Sequence, residues 1–290
     1  MRWTPGGDSS DVEDRRGSSG GGGFGIGGRS IGFGGAVILL VLSLLFHKNF
    51  FALLGTGDGQ TVSGPAVSRP LRETPEEHKE AQFVTFVLDD TQSTWQTILS
   101  QQGKASYRHA KLVLFRDATE SSCGYAQAAS GPFYCPEDEK VYIDLAFYDE
   151  LRRRFGASGD FAQAYVIAHE IGHHIQKIVG IEGKAHSAME NDPRHAKQYS
   201  VRLELQADCF AGVWAHSTQQ RNLLEAGDVE EGLNAAAAVG DDRLQRMAGK
   251  SVNPDSFTHG SSAQRSEWFK RGFDGGRMAD CDTFSTGAVR

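Results

Sequence analysis

The sequence predicts an α+β fold, mostly helical with a small sheet, that follows a disordered tail and one transmembrane helix. Three observations carry this prediction. Several segments repeat apolar residues every three or four positions, which is typical of amphipathic helices. Two short runs, KLVLF and KVYIDL, have the β-branched and aromatic content of strands. Glycine is concentrated near the N-terminus, ahead of one long uncharged apolar run.

The N-terminal part of the chain separates into three segments. Residues 1–30 are rich in glycine and serine and have few large apolar residues, which predicts a disordered tail. Residues 31–54 begin with the uncharged run IGFGGAVILLVLSLLF. They predict a transmembrane anchor, because a bilayer core needs about 20 apolar residues. A cleaved signal peptide is the alternative, although no small-residue cleavage site follows closely. Residues 55–75 are small or turn-forming and predict a linker.

The charge distribution predicts how the chain is placed. Arg15, Arg16 and Arg29 precede the apolar run, whereas only Lys48 follows it closely. The positive-inside rule then puts the tail in the cytoplasm and residues 76–290 outside it. The net charge of −7 argues against a nucleic-acid partner, and the sequence has no lysine–arginine cluster that would suggest one. Nothing in the sequence indicates an oligomeric state.

Residues 76–290 are the predicted folded domain, which is large enough for one good core. Its last two predicted helices begin with capping-box spacings, Asp228 with Glu231 and Ser261 with Gln264. Helices are predicted at 76–102, 146–154, 160–179, 197–217, 228–246 and 261–273, and strands at 111–115 and 140–145.

The stretch AHEIGHHIQ carries an H-E-x-x-H motif formed by His169, Glu170 and His173. It lies in a segment of helical periodicity that Gly180 can end. Residues four apart share a helix face, so both imidazoles can bind one Zn²⁺, with Glu170 beside them as the base for a water. His174 is turned from His169 by roughly 140° and is not expected to be a ligand. A helix that carries two histidines by chance is the alternative.

A catalytic zinc needs a third protein ligand, and Glu204 is the predicted one. The metzincin pattern would require histidine at position 179, where this chain has Val179. The helix at 197–217 instead offers Glu204 and Asp208, four residues apart. Glu204 can bind the metal, while Asp208 can accept a hydrogen bond from the outer nitrogen of a ligating histidine. An exposed acidic pair is the alternative, but this helix is largely apolar, and carboxylates beside apolar surface need partners.

Together, HEIGH and ELQAD resemble the His-His-Glu arrangement of the gluzincins. More closely, the chain is similar to the bacterial neutral zinc metallopeptidase family. The resemblance implies a zincin-like catalytic domain, a Zn²⁺ cofactor and a peptide or protein substrate. It also implies a membrane location, which together with the charge asymmetry predicts a bacterial inner-membrane protein with its catalytic domain in the periplasm. The stretches that carry the resemblance are 121–151, 168–176, 202–216 and 259–273.

The expected mechanism is attack by a zinc-activated water, with Glu170 carrying its proton to the leaving amine. His259 lies in a Thr-His-Gly turn before the last predicted helix and is the candidate donor to the developing oxyanion. An ordinary surface histidine is the alternative. Tyr142 and Tyr165 are weaker candidates for the same role. The strand at 140–145 is expected to align an extended substrate through its backbone.

The four cysteines do not have the C-x-x-C spacing of a zinc site. A domain outside the cytoplasm favours disulfides instead. Of the three possible pairings, Cys123–Cys135 and Cys209–Cys281 are expected, and four buried thiols are the alternative.

The predicted function is therefore a membrane-anchored zinc-dependent peptidase. One alternative is a membrane-tethered zinc-binding scaffold without hydrolytic activity, and another is a zinc hydrolase of a non-peptide amide. A fourth protein ligand closing the metal site would favour the scaffold, and His259 is the residue that distinguishes these cases.

Overall fold

The computed structural model describes residues 1–5, 9–17, 71–103, 106–127, 131–285 and 287–289. The predicted anchor, the linker up to residue 70 and tail residues 18–30 lie outside the described residues. Within the described part, no helix is long and apolar enough to cross a bilayer.

The described domain is mostly helical with a small sheet, which confirms the predicted α+β class. The helices are α1 (Pro75–Gln102), α2 (Ala146–Arg153), α3 (Asp160–Ile178), α4 (Ile181–Asn191), α5 (Ala196–Gln220), α6 (Asp228–Ala238), α7 (Asp241–Met247) and α8 (Ser262–Gly275). The strands are β1 (Val12–Asp14), β2 (Lys111–Phe115), β3 (Ala118–Ser121), β4 (Gly124–Gln127), β5 (Phe133–Cys135) and β6 (Lys140–Asp144).

The main sheet has four strands in the order β1-β2-β6-β5. The pairs β1–β2 and β2–β6 are parallel, whereas β5 runs antiparallel to β6. The edges of this sheet are therefore β1 and β5. The strand that was expected to align a substrate, β6, pairs with β2 on one side and, at Lys140–Tyr142, with β5 on the other. At these three residues the backbone is already paired on both sides, so the expectation is wrong for them. Strands β3 and β4 form a separate hairpin.

The expectation of a disordered N-terminal tail is wrong for the described residues among 1–17. Strand β1 pairs with β2 in the register Val12↔Leu112 and Asp14↔Leu114. Trp3 packs edge-on against Phe83 of α1, with ring centroids 5.3 Å apart. The high average glycine content of residues 1–30 predicted disorder for the whole segment. Its pairing partners lie about a hundred residues further along the chain, so local composition did not indicate the strand.

Ion pairs also hold the N-terminal segment to the domain. The Glu13 carboxylate lies 2.6 Å from the Lys140 Nζ of β6. The Arg16 side chain is only 3% exposed and lies 2.6 Å from Asp14, 3.0 Å from Glu73 and 3.4 Å from Glu77. A guanidinium this buried needs carboxylate partners, and residues at the start of α1 supply two of the three. Residues 9–17 are thus an integral part of this fold.

Three helices pack closely at the centre of the domain because glycines at their contact points leave no side chain between the backbones. A side chain at Gly172 of α3 would put its Cβ 3.0 Å from the Ala207 backbone of α5. Between α5 and α8 the spacing is tighter still, since a Cβ at Gly212 or Gly272 would clash with the facing helix backbone. These close approaches bring the side chains of α3, α5 and α8 into one cluster.

The helix predicted at 228–246 is two helices, α6 and α7. Gly240 lies between them, and a Cβ at this position would clash with Ser262 at the start of α8. The capping box expected at Asp228 is absent, because Gly227 is the N-cap and caps without a side-chain hydrogen bond. Glu231 instead accepts a hydrogen bond from the Phe161 backbone, 3.2 Å away. The second expected capping box, at the start of α8, is present.

Both expected disulfides are present. Cys123 joins Cys135, with Cα atoms 5.7 Å apart, and Cys209 joins Cys281, with Cα atoms 5.5 Å apart. The first ties edge strand β5 to the β3–β4 turn, and the second ties the C-terminal segment to α5.

Candidate metal centre

Helices α3 and α5 bring the three predicted metal ligands together. His169 and His173 are one turn apart on α3, and Glu204 faces them from α5. Glu204 Oε2 lies 3.3 Å from His169 Nε2, and Glu204 Oε1 lies 3.6 Å from His173 Nε2. Donor atoms around a tetrahedral zinc with bonds of 2.0–2.1 Å are about 3.3 Å apart. The donor set and its spacing therefore fit a zinc ion.

Each histidine has its outer nitrogen tied to a side-chain oxygen. His169 Nδ1 lies 2.9 Å from Asp208 Oδ1, and His173 Nδ1 lies 2.9 Å from Gln176 Oε1. Gln176 is held in turn, since its Nε2 donates to the Leu203 carbonyl of α5, 2.7 Å away. With both Nδ1 atoms donating outward, both Nε2 atoms are left to face Glu204. Such outer partners fix the tautomer and the ring orientation of ligating histidines.

The two imidazoles have opposite electrostatic environments. Burial lowers the pKa of His173 to about 4, which keeps this ring neutral and ready to bind a metal. Burial also lowers the pKa of His169, but the carboxylates of Asp208 and Glu204 raise it, with a net value of about 9.

Glu170 lies beside the ligands but does not belong to the cluster of ligand atoms. Its side chain is buried, and the nearby backbone N–H of Tyr134 in β5 acts to lower its pKa. Burial raises the pKa of Glu170 to about 7. A carboxylate with a pKa near neutrality is well matched to taking up and returning a proton.

His259 lies near the ligands and is held by an aspartate that the sequence did not indicate. Asp241, at the start of α7, accepts hydrogen bonds from the backbone N–H groups of Thr258, His259 and Gly260. Its other oxygen lies 3.3 Å from His259 Nδ1. Burial lowers the pKa of His259, but Glu204 and Asp241 outweigh that effect and the pKa is raised. His259 is not among the clustered donor atoms of the described residues.

The remaining histidine of the motif helix, His174, is engaged elsewhere. It is fully buried, with Nδ1 2.9 Å from the Tyr134 hydroxyl and Nε2 2.7 Å from the Arg108 carbonyl oxygen. The hydroxyl groups of the two tyrosines considered as oxyanion donors also have other hydrogen-bond partners. Tyr142 donates to Asp138 Oδ2, 2.7 Å away, and Tyr165 donates to Asp208.

Arg265 is a further residue of this site for which the sequence analysis predicted no role. This residue of α8 is 3% exposed, and its guanidinium holds Asp208 with two hydrogen bonds of 2.8 and 2.9 Å. The contact between Gln176 and His173 could have been predicted from the sequence, because Gln176 lies about one turn after His173 on the same helix. Arg265 and Asp241 could not have been found in that way, because they lie far from the motifs in sequence and only the fold brings them in.

A second group of acidic side chains lies at the start of α3, formed by Asp160, Asp228 and Glu231. The Met1 α-ammonium group lies 2.6 Å from Asp160 Oδ1 and 3.3 Å from Asp228 Oδ1. Asp160 and Asp228 therefore already have a cationic partner.

One protein family and several known proteins are similar to this chain. Residues 1–284 match the family described as "Putative neutral zinc metallopeptidase". The Escherichia coli K12 protein named "Uncharacterized protein YpfJ" is 50% identical over 286 residues, which cover 98% of this chain and 99% of that protein. "Uncharacterized protein Rv2575" of Mycobacterium tuberculosis is 43% identical over 190 residues, or 62% of this chain and 64% of that protein. No solved structure matches the chain.

Proposed function

Because this chain belongs to the neutral zinc metallopeptidase family, we propose that it is a zinc-dependent peptidase that cleaves peptide bonds in peptides or proteins. The convergence of His169, His173 and Glu204, with Glu170 beside them, is the observation that carries this proposal. Two imidazoles and a carboxylate are a donor set of catalytic zinc, which leaves a position open for water or substrate. His259 lies outside the cluster of donor atoms in the described part of the chain, and this favours an open catalytic site over a closed structural one.

His169 and His173, through their Nε2 atoms, and Glu204 would hold one zinc ion. When bound, zinc supplies a Lewis acid that makes water a nucleophile near neutral pH and stabilises negative charge on a carbonyl oxygen. Asp208 and Gln176 keep the two imidazoles in the orientation that this binding needs.

Glu170 acts as the general base in this proposal. Its carboxylate takes the proton of the attacking water and delivers it to the nitrogen of the leaving amine. Burial disfavours the charged form of this carboxylate, while the nearby Tyr134 N–H favours it.

His259 donates a hydrogen bond to the oxygen of the scissile carbonyl as negative charge develops there. Asp241 receives the Nδ1 side of the ring, which leaves Nε2 for the substrate. Three backbone N–H groups fix Asp241, so the imidazole is oriented before substrate arrives.

Strand β5 is the proposed alignment edge for an extended substrate. Among the described residues it is an edge of the main sheet, and its Tyr134 backbone lies near Glu170. Backbone pairing with such an edge holds a peptide through hydrogen bonds that do not depend on its side chains. The Cys123–Cys135 disulfide and the pairing with β6 keep this short strand in place.

We further propose that the domain works in an oxidising compartment outside the cytoplasm. Two disulfides support this, because such bonds persist in secreted and periplasmic proteins and are rare in the cytosol. Attachment to the inner membrane through residues 31–54, with or without a full crossing, stays a prediction from the apolar sequence of that segment.

Digestion of a peptide library by the zinc-loaded full-length chain tests this function. We expect His259→Phe to lower kcat by about 10²–10³-fold, since it removes one donor to the developing oxyanion. Zinc content should not change, because His259 is not a proposed ligand. His195 is the matched control, since it also pairs with an aspartate, Asp192 at 2.6 Å, but lies exposed on the surface.

In this test, His195→Phe should cleave like the wild type. An unchanged kcat in His259→Phe would remove His259 from its proposed role. If the zinc-loaded wild type left the library intact, the peptidase proposal itself would fail.

A further inference from the structure

Arg265 is the most deeply buried charge beside the metal centre that the proposed mechanism does not use. It lies on α8, which carries none of the proposed ligands. Its Nε donates to Asp208 Oδ2 at 2.8 Å and its Nη2 donates to Asp208 Oδ1 at 2.9 Å. A two-pronged arginine–carboxylate contact fixes the carboxylate in orientation as well as in position.

We propose that Arg265 is a positioning residue of the metal centre and acts through Asp208. This inference rests on the proposed zinc site. Asp208 has no exposed surface, and its oxygens receive hydrogen bonds from His169, Tyr165 and Arg265. The carboxylate orientation that Arg265 sets is the one that receives His169 Nδ1 and leaves His169 Nε2 for the metal.

The Arg265 guanidinium also lies close to two of the proposed metal ligands. Nη2 lies 3.3 Å from His169 Nδ1 and 3.9 Å from Glu204 Oε2, so it borders ligands from both α3 and α5. Tyr165 lies 3.2 Å from the same nitrogen, and burial raises the pKa of Tyr165 well above its ordinary range. Tyr165 therefore stays protonated and donates to Asp208 as well.

Without Arg265, the buried Asp208 carboxylate would lose two charged hydrogen bonds and the guanidinium that balances its charge. It could then turn or take up a proton, and His169 would lose the acceptor that fixes its ring. The close approach of α8 to α5 at Gly212 and Gly272 is what allows the guanidinium to reach this position.

Zinc affinity, measured by competition with a chelator, tests this inference without relying on hydrolysis. We expect Arg265→Gln to weaken zinc binding by about 10–100-fold, which is the usual loss when an outer partner of a metal-bound histidine is removed. Lys270→Gln is the control on the same helix, because Lys270 is exposed and pairs only with Asp274. Its zinc affinity should equal that of the wild type.

The double variant Arg265→Gln/Asp208→Asn separates positioning from general stabilisation. If Arg265 acts through Asp208, the double variant binds zinc about as well as Asp208→Asn alone. Multiplied losses would mean that the two residues act independently and would overturn the inference. Arg265→Lys serves if the glutamine variant does not fold. It keeps the charge but cannot form the fork, so zinc binding should still weaken, and wild-type affinity in this variant would also overturn the inference.

The two proposals fail in different ways. A wild type that binds no zinc would overturn the proposed function and this inference together. A wild type that binds zinc with an Arg265→Gln variant of equal affinity would overturn this inference alone.

Strand β1 carries a second inference independently of the metal centre. Its backbone pairs with β2, through Leu112 N to the Asp11 carbonyl at 2.7 Å and Arg15 N to the Leu114 carbonyl at 2.7 Å. Paired strands are about 4.8 Å apart, whereas the apolar core of a bilayer is about 30 Å thick. Two strands on opposite sides of a membrane cannot pair.

We infer that residues 9–17 and the catalytic domain lie in one compartment. A chain that crossed a membrane once between residue 17 and residue 71 would leave β1 on the other side from β2. Arg16, Glu13 and Asp11 would then lose the domain partners that they contact, which are Glu73, Lys140 and Lys111. A single crossing with the tail in the cytoplasm and the domain outside is incompatible with this pairing.

Labelling of single cysteines in intact bacterial cells tests the inference on the full-length chain. Ser10→Cys and Ser251→Cys each add one thiol at an exposed position, in the N-terminal segment and in the domain. All four native cysteines are in disulfides and stay unreactive. A maleimide that does not cross the inner membrane should label both variants or neither, and after lysis it should label both. Labelling of one variant and protection of the other in intact cells would overturn the inference.

Discussion

Replacing Glu170 with glutamine is expected to slow peptide cleavage by about 10²–10⁴-fold and to leave zinc bound, because it removes a general base but no proposed ligand. The amide has almost the same shape as the carboxylate, so it should fit the same buried position. It cannot take a proton from water at neutral pH. The loss should therefore fall on kcat, with little change in the zinc content of the protein.

The matched control for this change is Glu190→Gln on α4, where the glutamate is exposed and lies outside the site. This variant should cleave at the wild-type rate. Initial rates on one reporter peptide, with zinc measured on the same samples, make the comparison. A Glu170→Gln variant that kept most of its activity would show that another group takes the proton. One that lost zinc would mean that Glu170 holds the metal.

The parts of the site that the sequence predicted depend on spacing within single helices. His169 and His173 face the same way because they are four residues apart, and the same holds for Glu204 and Asp208 on α5. The helices themselves were predictable from apolar periodicity. The prediction that α5 would supply the third ligand came from the need for one more donor and from two carboxylates on a largely apolar helix, and the resemblance to gluzincins then supported it.

Contacts between residues that are distant in sequence could not be predicted from spacing within single helices. Arg265 meets Asp208 from 57 positions away, and it does so because small residues let α8 approach α5. The role of Asp241 at a helix start was missed, because the sequence predicted one continuous helix at 228–246. The break at Gly240 depends on its close contact with Ser262, which is distant in sequence. Helical periodicity reports which face of a helix is buried, but it does not identify the partner that buries it.

The N-terminal strand was missed for a related reason. The sequence Val12–Asp14 is short and partly acidic, and glycine-rich sequence follows it. Its stability comes from Lys111, Lys140 and the backbone edge of β2, all distant in sequence. The edge strand β5 was likewise read as loop, since only three residues pair and a disulfide helps to hold them.

Loss of zinc on removal of Glu204 is the second large effect that we expect. Glu204→Ala leaves two imidazoles and no carboxylate at the site, and the open space admits water where the third ligand stood. The loss of affinity should exceed the roughly 10–100-fold that follows removal of an outer partner such as Asp208. Glu190→Ala is the control, because it removes an exposed glutamate from a neighbouring helix.

The most direct measurement is zinc stoichiometry and affinity of the purified full-length chain, taken for wild type, Glu170→Gln and Glu204→Ala side by side. We expect one tightly bound zinc per chain in the wild type and in Glu170→Gln, and no tightly bound zinc in Glu204→Ala. A Glu204→Ala protein that held zinc as tightly as the wild type would contradict a metal centre built from His169, His173 and Glu204.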